Sequence, residues 1–259
     1  MLYGLLFVIS AVTVCQAADV KQGTISGKWI TKSNGPLTDA QVLLFNAAVG
    51  PPPARDKYLR VPDVITTIDS DGEFSVPVAA GKYYLVMRKR MGEGIVGPPR
   101  EGDLQFYSRD KKGAARFFTV KAGGVTNIGT ISEATVFQKR QVTYEKGVTA
   151  IEGTVTDEEG LPIEGVRVFA YLSAEMKGKP QYASEGTGKD GKYFINLNEK
   201  GAYYLKARTH YGGGKPADGE FLGGYGEPTA PVIIKVEKGK VSKDVDIKTK
   251  RFAGRGVQG

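Results

Sequence analysis

The chain has 259 residues, with 36 Lys and Arg against 28 Asp and Glu and a formal net charge of +8. It holds one histidine, His210, and one cysteine, Cys15, which sits in an apolar leader. That excludes a disulfide framework, a thiolate metal site and any centre built on several histidines. The basic balance suits anionic surfaces such as polysaccharide or phospholipid headgroups, and equally a solvated basic surface.

In chain order, Leu2 to Val14 is almost wholly apolar, and Cys15-Gln16-Ala17 places small residues three and one before a cut at Ala17/Ala18. This reads as a secretory signal peptide over residues 1–17, too short for a spanning helix. No Lys or Arg precedes the run, which is atypical. The rival is lipoprotein processing with acylation of Cys15, against which stands Val14 where a small residue is normal. Membrane association is expected only if Cys15 is lipidated. The expected location is exported: periplasm, outer surface or extracellular.

The remainder says the same thing twice. Ile25, Gly27 and Trp29 share one face of a first strand, and Ile151, Gly153 and Val155 match them. Gly27/Gly153, Pro36/Pro162, Leu37/Ile163 and Val42/Val168 keep one offset of 126 residues. The next strand runs from Ala40 to Asn46, or from Val166 to Tyr171. Asp71-Gly72 and Asp190-Gly191 then mark hairpin turns, since Asp-Gly readily takes positive φ. Phe74, Val76 and Val78 alternate after the first turn, and Tyr193, Ile195 and Leu197 after the second, as core positions. Gly81 and Gly201 lead into aromatic strands, Tyr83 to Met87 and Tyr203 to Ala207. Gly/Pro-rich excursions follow, Met91 to Asp103 and Tyr211 to Pro231. Each copy closes with two strands, Arg116 to Val120 with Val125 to Ile131, and Val232 to Val236 with Val241 to Ile247.

No stretch sustains an apolar 3.6-residue period, so helices are not expected. Six or seven short strands per copy predict an all-β chain of two tandem antiparallel β-sandwich domains. The expected limits are a first domain over residues 18–132, a linker over 133–148, a second domain over 149–249 and a disordered basic tail over 250–259.

The order Gly-x-Pro-Leu-x-x-Ala-x-Val, a Gly-x-Phe hairpin and Gly-x-Tyr-Tyr-Leu resembles the carboxypeptidase regulatory-like domain. The residues that carry it are Pro36, Leu37, Ala40, Val42, Gly72, Phe74, Gly81 and Tyr83, and then Pro162, Ile163, Val166, Val168, Gly191, Tyr193, Gly201 and Tyr203. The resemblance implies a seven-stranded transthyretin-like (prealbumin-like) Greek-key sandwich, related in shape to bacterial Cna-B repeats. It specifies fold and leaves function open. It also raises the intramolecular isopeptide bond found in some Cna-B-like domains, for which Lys28 and Asn127 are formally available. Lys28 lies on the face opposite Trp29, so an exposed lysine is the expectation.

Catalytic signals are poor. His210 has neither a nucleophile nor further ligands beside it. Asp69-Ser70-Asp71-Gly72-Glu73 resembles the start of a calcium loop but lacks the later acidic ligand, and the second copy has Lys189 in it, so a hairpin turn is expected. The glycine runs lack phosphate-loop spacing, so no nucleotide is expected, nor any cofactor or metal. Aromatics are the usable hint: Tyr107, Tyr203, Tyr211, Phe221 and Tyr225 are the candidate binding residues, since exposed rings near mobile loops stack on sugars or anchor proteins. The expected function is non-catalytic: a structural, adhesive or assembly component of a bacterial envelope, binding an envelope or extracellular protein complex through loops or strand edges. The alternative is a carbohydrate-binding module for anionic polysaccharide, with Tyr203, Tyr211 and Tyr225 as a stacking platform.

Overall fold

The structure is a computed structural model and describes residues 21–54, 57–92, 97–138, 147–211 and 213–254. Residues 1–20, which hold the expected leader and Cys15, half of the expected linker (139–146) and the last five residues lie outside the described residues.

The first half contains β1 (Gln22–Trp29), β2 (Ala40–Asn46), β3 (Val64–Thr67), β4 (Glu73–Ala79), β5 (Gly81–Lys89), β6 (Leu104–Tyr107), β7 (Phe117–Val120), β8 (Val125–Ile131) and β9 (Thr135–Val136). The second half contains β10 (Thr149–Thr156), β11 (Arg167–Tyr171), β12 (Tyr182–Ala183), β13 (Lys192–Leu197), β14 (Gly201–Arg208) and β15 (Phe221–Gly224). It continues with β16 (Gly226–Glu227), β17 (Ala230–Pro231), β18 (Ile234–Val236), β19 (Val241–Ser242) and β20 (Ile247–Arg251). The described residues are all-β and include no helix.

In the first half a three-stranded sheet, β4-β1-β8, lies over a second sheet in the order β3-β2-β5-β6-β9, with β7 added on β5. Ile25, Trp29, Val42, Leu44, Phe74, Val76, Leu85 and Met87 fill the space between them. The alternation on β4 shows why: Phe74, Val76 and Val78 are buried while Glu73, Ser75 and Pro77 are exposed. Pro77 is tolerated because β4 is an edge with no ladder on its far side among the described residues. The second half has its own core around Ile151, Val168, Ile195, Leu205 and Ile247. Its main sheet runs β12-β11-β14-β15-β20-β10-β13 without a break, with β18 on β14, β19 on β10 and a separate β16-β17 hairpin.

The halves differ in how the closing strand runs. In the first, the closing chain leaves β8 at Ile131 and re-pairs only as β9 on β6. The Trp29 indole donates to the Glu133 carbonyl across this gap, at 3.0 Å. Val155 stands where Trp29 would be, and there the single strand β20 pairs with both β10 and β15, joining the layers.

Several expectations change. The antiparallel expectation fails at the ladder between first and last strands: β1 pairs in parallel with β8, and β10 with β19 and β20. The closing strand reaches this position by crossing from the opposite sheet, so it enters in the same direction as the first. Strands β6 and β15 were not expected, and β15 lies inside the supposed Gly-rich excursion. Its glycines serve close packing: a Cβ on Gly223 would fall 2.4 Å from the Lys248 carbonyl oxygen. The linker contributes β9 and the buried Phe137. The tail is ordered at its start, because Arg251 pairs with Phe221. The Asp-Gly hairpins are present, with Gly72 at φ 79° and Gly191 at φ 69°.

Gly27 and Gly153 explain the shared first-strand motif. A Cβ on Gly153 would lie 2.1 Å from the Val245 carbonyl oxygen, and one on Gly27 would lie 2.6 Å from Ile128 Cγ1. Gly153→Ala should therefore lower stability by about 1–3 kcal/mol through overpacking. Gly92→Ala, where no atom lies within 4 Å, should be neutral. Urea denaturation of the two variants measures both.

Candidate functional site

The segment between β2 and β3 crosses to the second half and acts as a strap. Leu59 to Val61 lies antiparallel to β12: Val61 N–H donates to the Gln181 carbonyl at 3.2 Å, and Ala183 N–H to the Leu59 carbonyl at 3.1 Å. Tyr58 enters the second core, edge-on to Tyr182 at 5.9 Å, and its hydroxyl donates to the Pro52 carbonyl at 2.6 Å. Arg60 donates to the carbonyls of Pro51 and Asn46 and pairs with Asp63, which also pairs with Lys179 from the second half. Burial lowers the pKa of both Arg60 and Lys179, with Asp63 opposing it.

The strap walls a cavity of about 520 Å³. Its floor is the outer face of the first half's larger sheet, in two cross-strand rows. One row is Thr67, Gln41, Arg88 and Gln105, and the other is Ile65, Leu43, Val86 and Tyr107. Pro98 and Pro99 form a second wall, and Tyr211 of the second half a third. Leu43, Phe45 and Val86 make the floor apolar.

Arg88 is the charge in that floor and is only 5% exposed. It donates to Gln41 Oε1 and to the Gly97 carbonyl, each at 2.7 Å, and its buried Nε has no partner. Burial, together with neighbouring Arg90, lowers its pKa to about 10. The corresponding residue in the second half is Arg208, which forms a fork-on-fork pair with Glu220 at 2.7 and 2.9 Å. Asp103 holds Glu220's place one residue before β6. It is a methylene shorter, and its carboxylate accepts the backbone N–H groups of Met91 and Arg100 instead.

Of the five candidate residues, the structure brings two together: Tyr107 and Tyr211 line the one cavity. Tyr211 packs on Phe169 at 5.6 Å, with the Arg167 guanidinium 6.0 Å from its ring centre. Tyr203 is 4% exposed, edge-on to Tyr182 at 6.2 Å, and belongs to the core. Phe221 and Tyr225 also pack against that core. An exposed platform of Tyr203, Tyr211 and Tyr225 is therefore not formed, because the inward face of β14 carries Tyr203.

The other motifs resolve simply. Asp69 Oδ1 accepts the N–H groups of Asp71 and Glu73, so its carboxylate closes the turn. Among the described residues no cluster of three His, Cys, Asp or Glu could hold a metal. Lys28 pairs with Glu73 at 3.3 Å on the surface, and Asn127 Oδ1 accepts the Gly129 N–H, so neither side chain lies in the core. His210 is 65% exposed.

Sequence reasoning missed the strap. Its signal was the fall in offset between the copies, from 126 at Val42/Val168 to 119 at Gly72/Gly191, which leaves seven extra residues in the first copy.

No family model matches the chain, so the likeness to the carboxypeptidase regulatory-like domain rests on the residues quoted for it. No curated protein matches either. Among solved structures, a streptococcal ancillary pilin is 13% identical at TM-score 0.25, over 90% of this chain and 63% of that one. The Bacillus anthracis TIE protein is 16% identical at 0.27, over 89% of this chain and 34% of that one. A DUF3823 family protein from Bacteroides uniformis is 14% identical at 0.25, over 84% and 97%. The chain thus spans less than two thirds of the first two. Similarity at this level carries no argument about fold or function.

Two outcomes are expected. Tyr58→Ala should cost about 3 kcal/mol by opening the second core and should split the calorimetric melt into two transitions, while Tyr58→Phe should cost about 1 kcal/mol for one hydrogen bond. The second concerns Glu220, whose burial would raise its pKa but whose hydrogen bonds from Arg208 and the Ala217 N–H hold it below the ordinary value. A depressed carboxylate stabilises the fold above about pH 4.3 and loses that contribution as pH falls through the folded value. Glu220→Gln should therefore cost about 3 kcal/mol at pH 7 and flatten the acid limb of a stability profile from urea melts at pH 2–7.

Proposed function

We propose that this chain is a non-catalytic structural protein of an exported, cell-surface setting, an assembly or adhesive component that holds a protein partner by strand edges or loops. In this reading residues 18–132 and 149–249 are two carboxypeptidase regulatory-like units, preceded by a removable leader. The observation that carries the reading is the strap: the protein already binds an extended segment by strand addition at β12, with Tyr58 as a neighbouring aromatic anchor. Edge pairing with an anchored side chain is a general mode of peptide recognition. Strand β8 offers a second such edge, seven residues long, with no ladder on its far side among the described residues and with Val125 71% exposed. The glycan alternative loses support from the burial of Tyr203.

The test is affinity capture of the tagged chain, from Ala18 onward, out of crosslinked native envelope, repeated with Val125→Glu. A stoichiometric protein partner that Val125→Glu releases at unchanged melting temperature is the expected outcome. Recovery of polysaccharide alone, or of nothing, overturns the reading.

A further inference from the structure

The cavity at the junction has a charge problem that the protein leaves unsolved. Among the described residues lining it, Arg60 and Arg88 are the charged ones, and no carboxylate faces them across it. Arg60 has Asp63; Arg88 senses Asp103 as an opposing charge, but among the described residues no hydrogen bond or ion pair joins the two. A buried cation without a counter-charge is costly. The second half avoids the cost with Glu220, whereas Asp103 is turned to backbone donors.

More positive charge stands behind the same wall. Arg90 follows Arg88 along the chain, and its Nε and Nη1 are buried without a hydrogen-bond partner, as is Nε of Arg167. Arg90 senses Arg88, Arg100 and Arg167 as like charges and Asp103 as the opposing one. Arg167 reaches the Tyr211 ring from the other half. Arg90 Nη2 donates to the Gly97 and Pro98 carbonyls at 2.7 and 2.8 Å. Guanidinium groups bonded to neutral oxygens, with no carboxylate in contact among the described residues, therefore gather at the Tyr211 end of the cavity, while Leu43, Phe45, Val86 and Ile65 keep the rest apolar. The volume lies in the range of small-molecule pockets.

We infer that this junction cavity is a binding site for a compact organic anion, its apolar body over Leu43, Phe45 and Val86 and its acidic group at the Arg88 end. The anion supplies the counter-charge that Glu220 supplies in the second half. Because the walls come from both halves and the strap, an occupied site also couples the halves more tightly. This stands independently of any partner bound at a strand edge.

The test uses two fluorescent probes of one ring system on the chain from Ala18 onward, with native near-UV circular dichroism confirmed for each variant. The probes are 8-anilinonaphthalene-1-sulfonate and its uncharged analogue N-phenyl-1-naphthylamine. The sulfonate should bind at one site per chain, about tenfold more tightly than the neutral amine. Arg88→Gln should remove that preference and leave the neutral probe's affinity unchanged. Ile65→Trp should block both probes; Ile65 sits on the rim, 47% exposed, so this variant reports even if Arg88→Gln does not fold. Equal affinity for the two probes, absence of binding, or sulfonate binding that survives Ile65→Trp would overturn the inference.

Discussion

The backbone pairing of Leu59–Val61 with Gln181–Ala183 is the contact on which the arrangement of the halves depends. β12 is two residues long and has a single neighbour in its own half, β11. Without the strap its outer N–H and C=O groups would stand as an open edge, the feature that β proteins guard against. The hydrogen bonds are individually worth about 1 kcal/mol. The larger effect is the aromatic side chain beside them, since Tyr58, with Ala54 packed nearby, adds its ring to a core otherwise built from the second half. Asp63 then fastens the far end by holding Arg60 and Lys179 together.

The strap also sets the environment of the first half's larger sheet. On β2, Val42 and Leu44 face the inner core while Leu43 and Phe45 face outward, and all four are buried. A strand covered on both sides reads as an unbroken apolar run, and Val42-Leu43-Leu44-Phe45 is one. β4 alternates because only one of its faces is covered. The same outer face carries Gln41 and Arg88 side by side. One methylene separates Asp103 from its counterpart Glu220, and that difference leaves Arg88 bonded to neutral oxygens while Arg208 has a carboxylate.

Much of the all-β layout was legible because it is local. The alternation at Phe74-Val76-Val78 and Tyr193-Ile195-Leu197, the Asp-Gly turns and the boundaries of β2 and β8 follow from side-chain period and turn chemistry. Strand β15 was hidden because Gly223 and Gly224 signal a loop, whereas here glycine admits a neighbouring backbone. Direction in the β1–β8 ladder was hidden too, since parallel and antiparallel partners share one alternation. Of the site, Tyr107 and Tyr211 were picked as aromatics near loops, but nothing local says that they meet. Arg88 stands in the basic run Arg88-Lys89-Arg90, which in sequence resembles a solvated surface, and its burial depends on a strap and a second half that lie far away in sequence.

The strap has a bearing on the order in which this protein can become whole. Gln181 and Val49, which meet across the junction, are separated by 132 positions. A chain that leaves the ribosome or threads through an export channel from its amino end presents Tyr58 and the strap long before their receptor exists. The first half must wait with an apolar segment uncovered, and the second completes its core only by accepting that segment. Contacts of such long range form slowly and leave transient surfaces at risk of aggregation. The last step of maturation is therefore a docking of two halves, and the interval before it is when a holding chaperone would matter most.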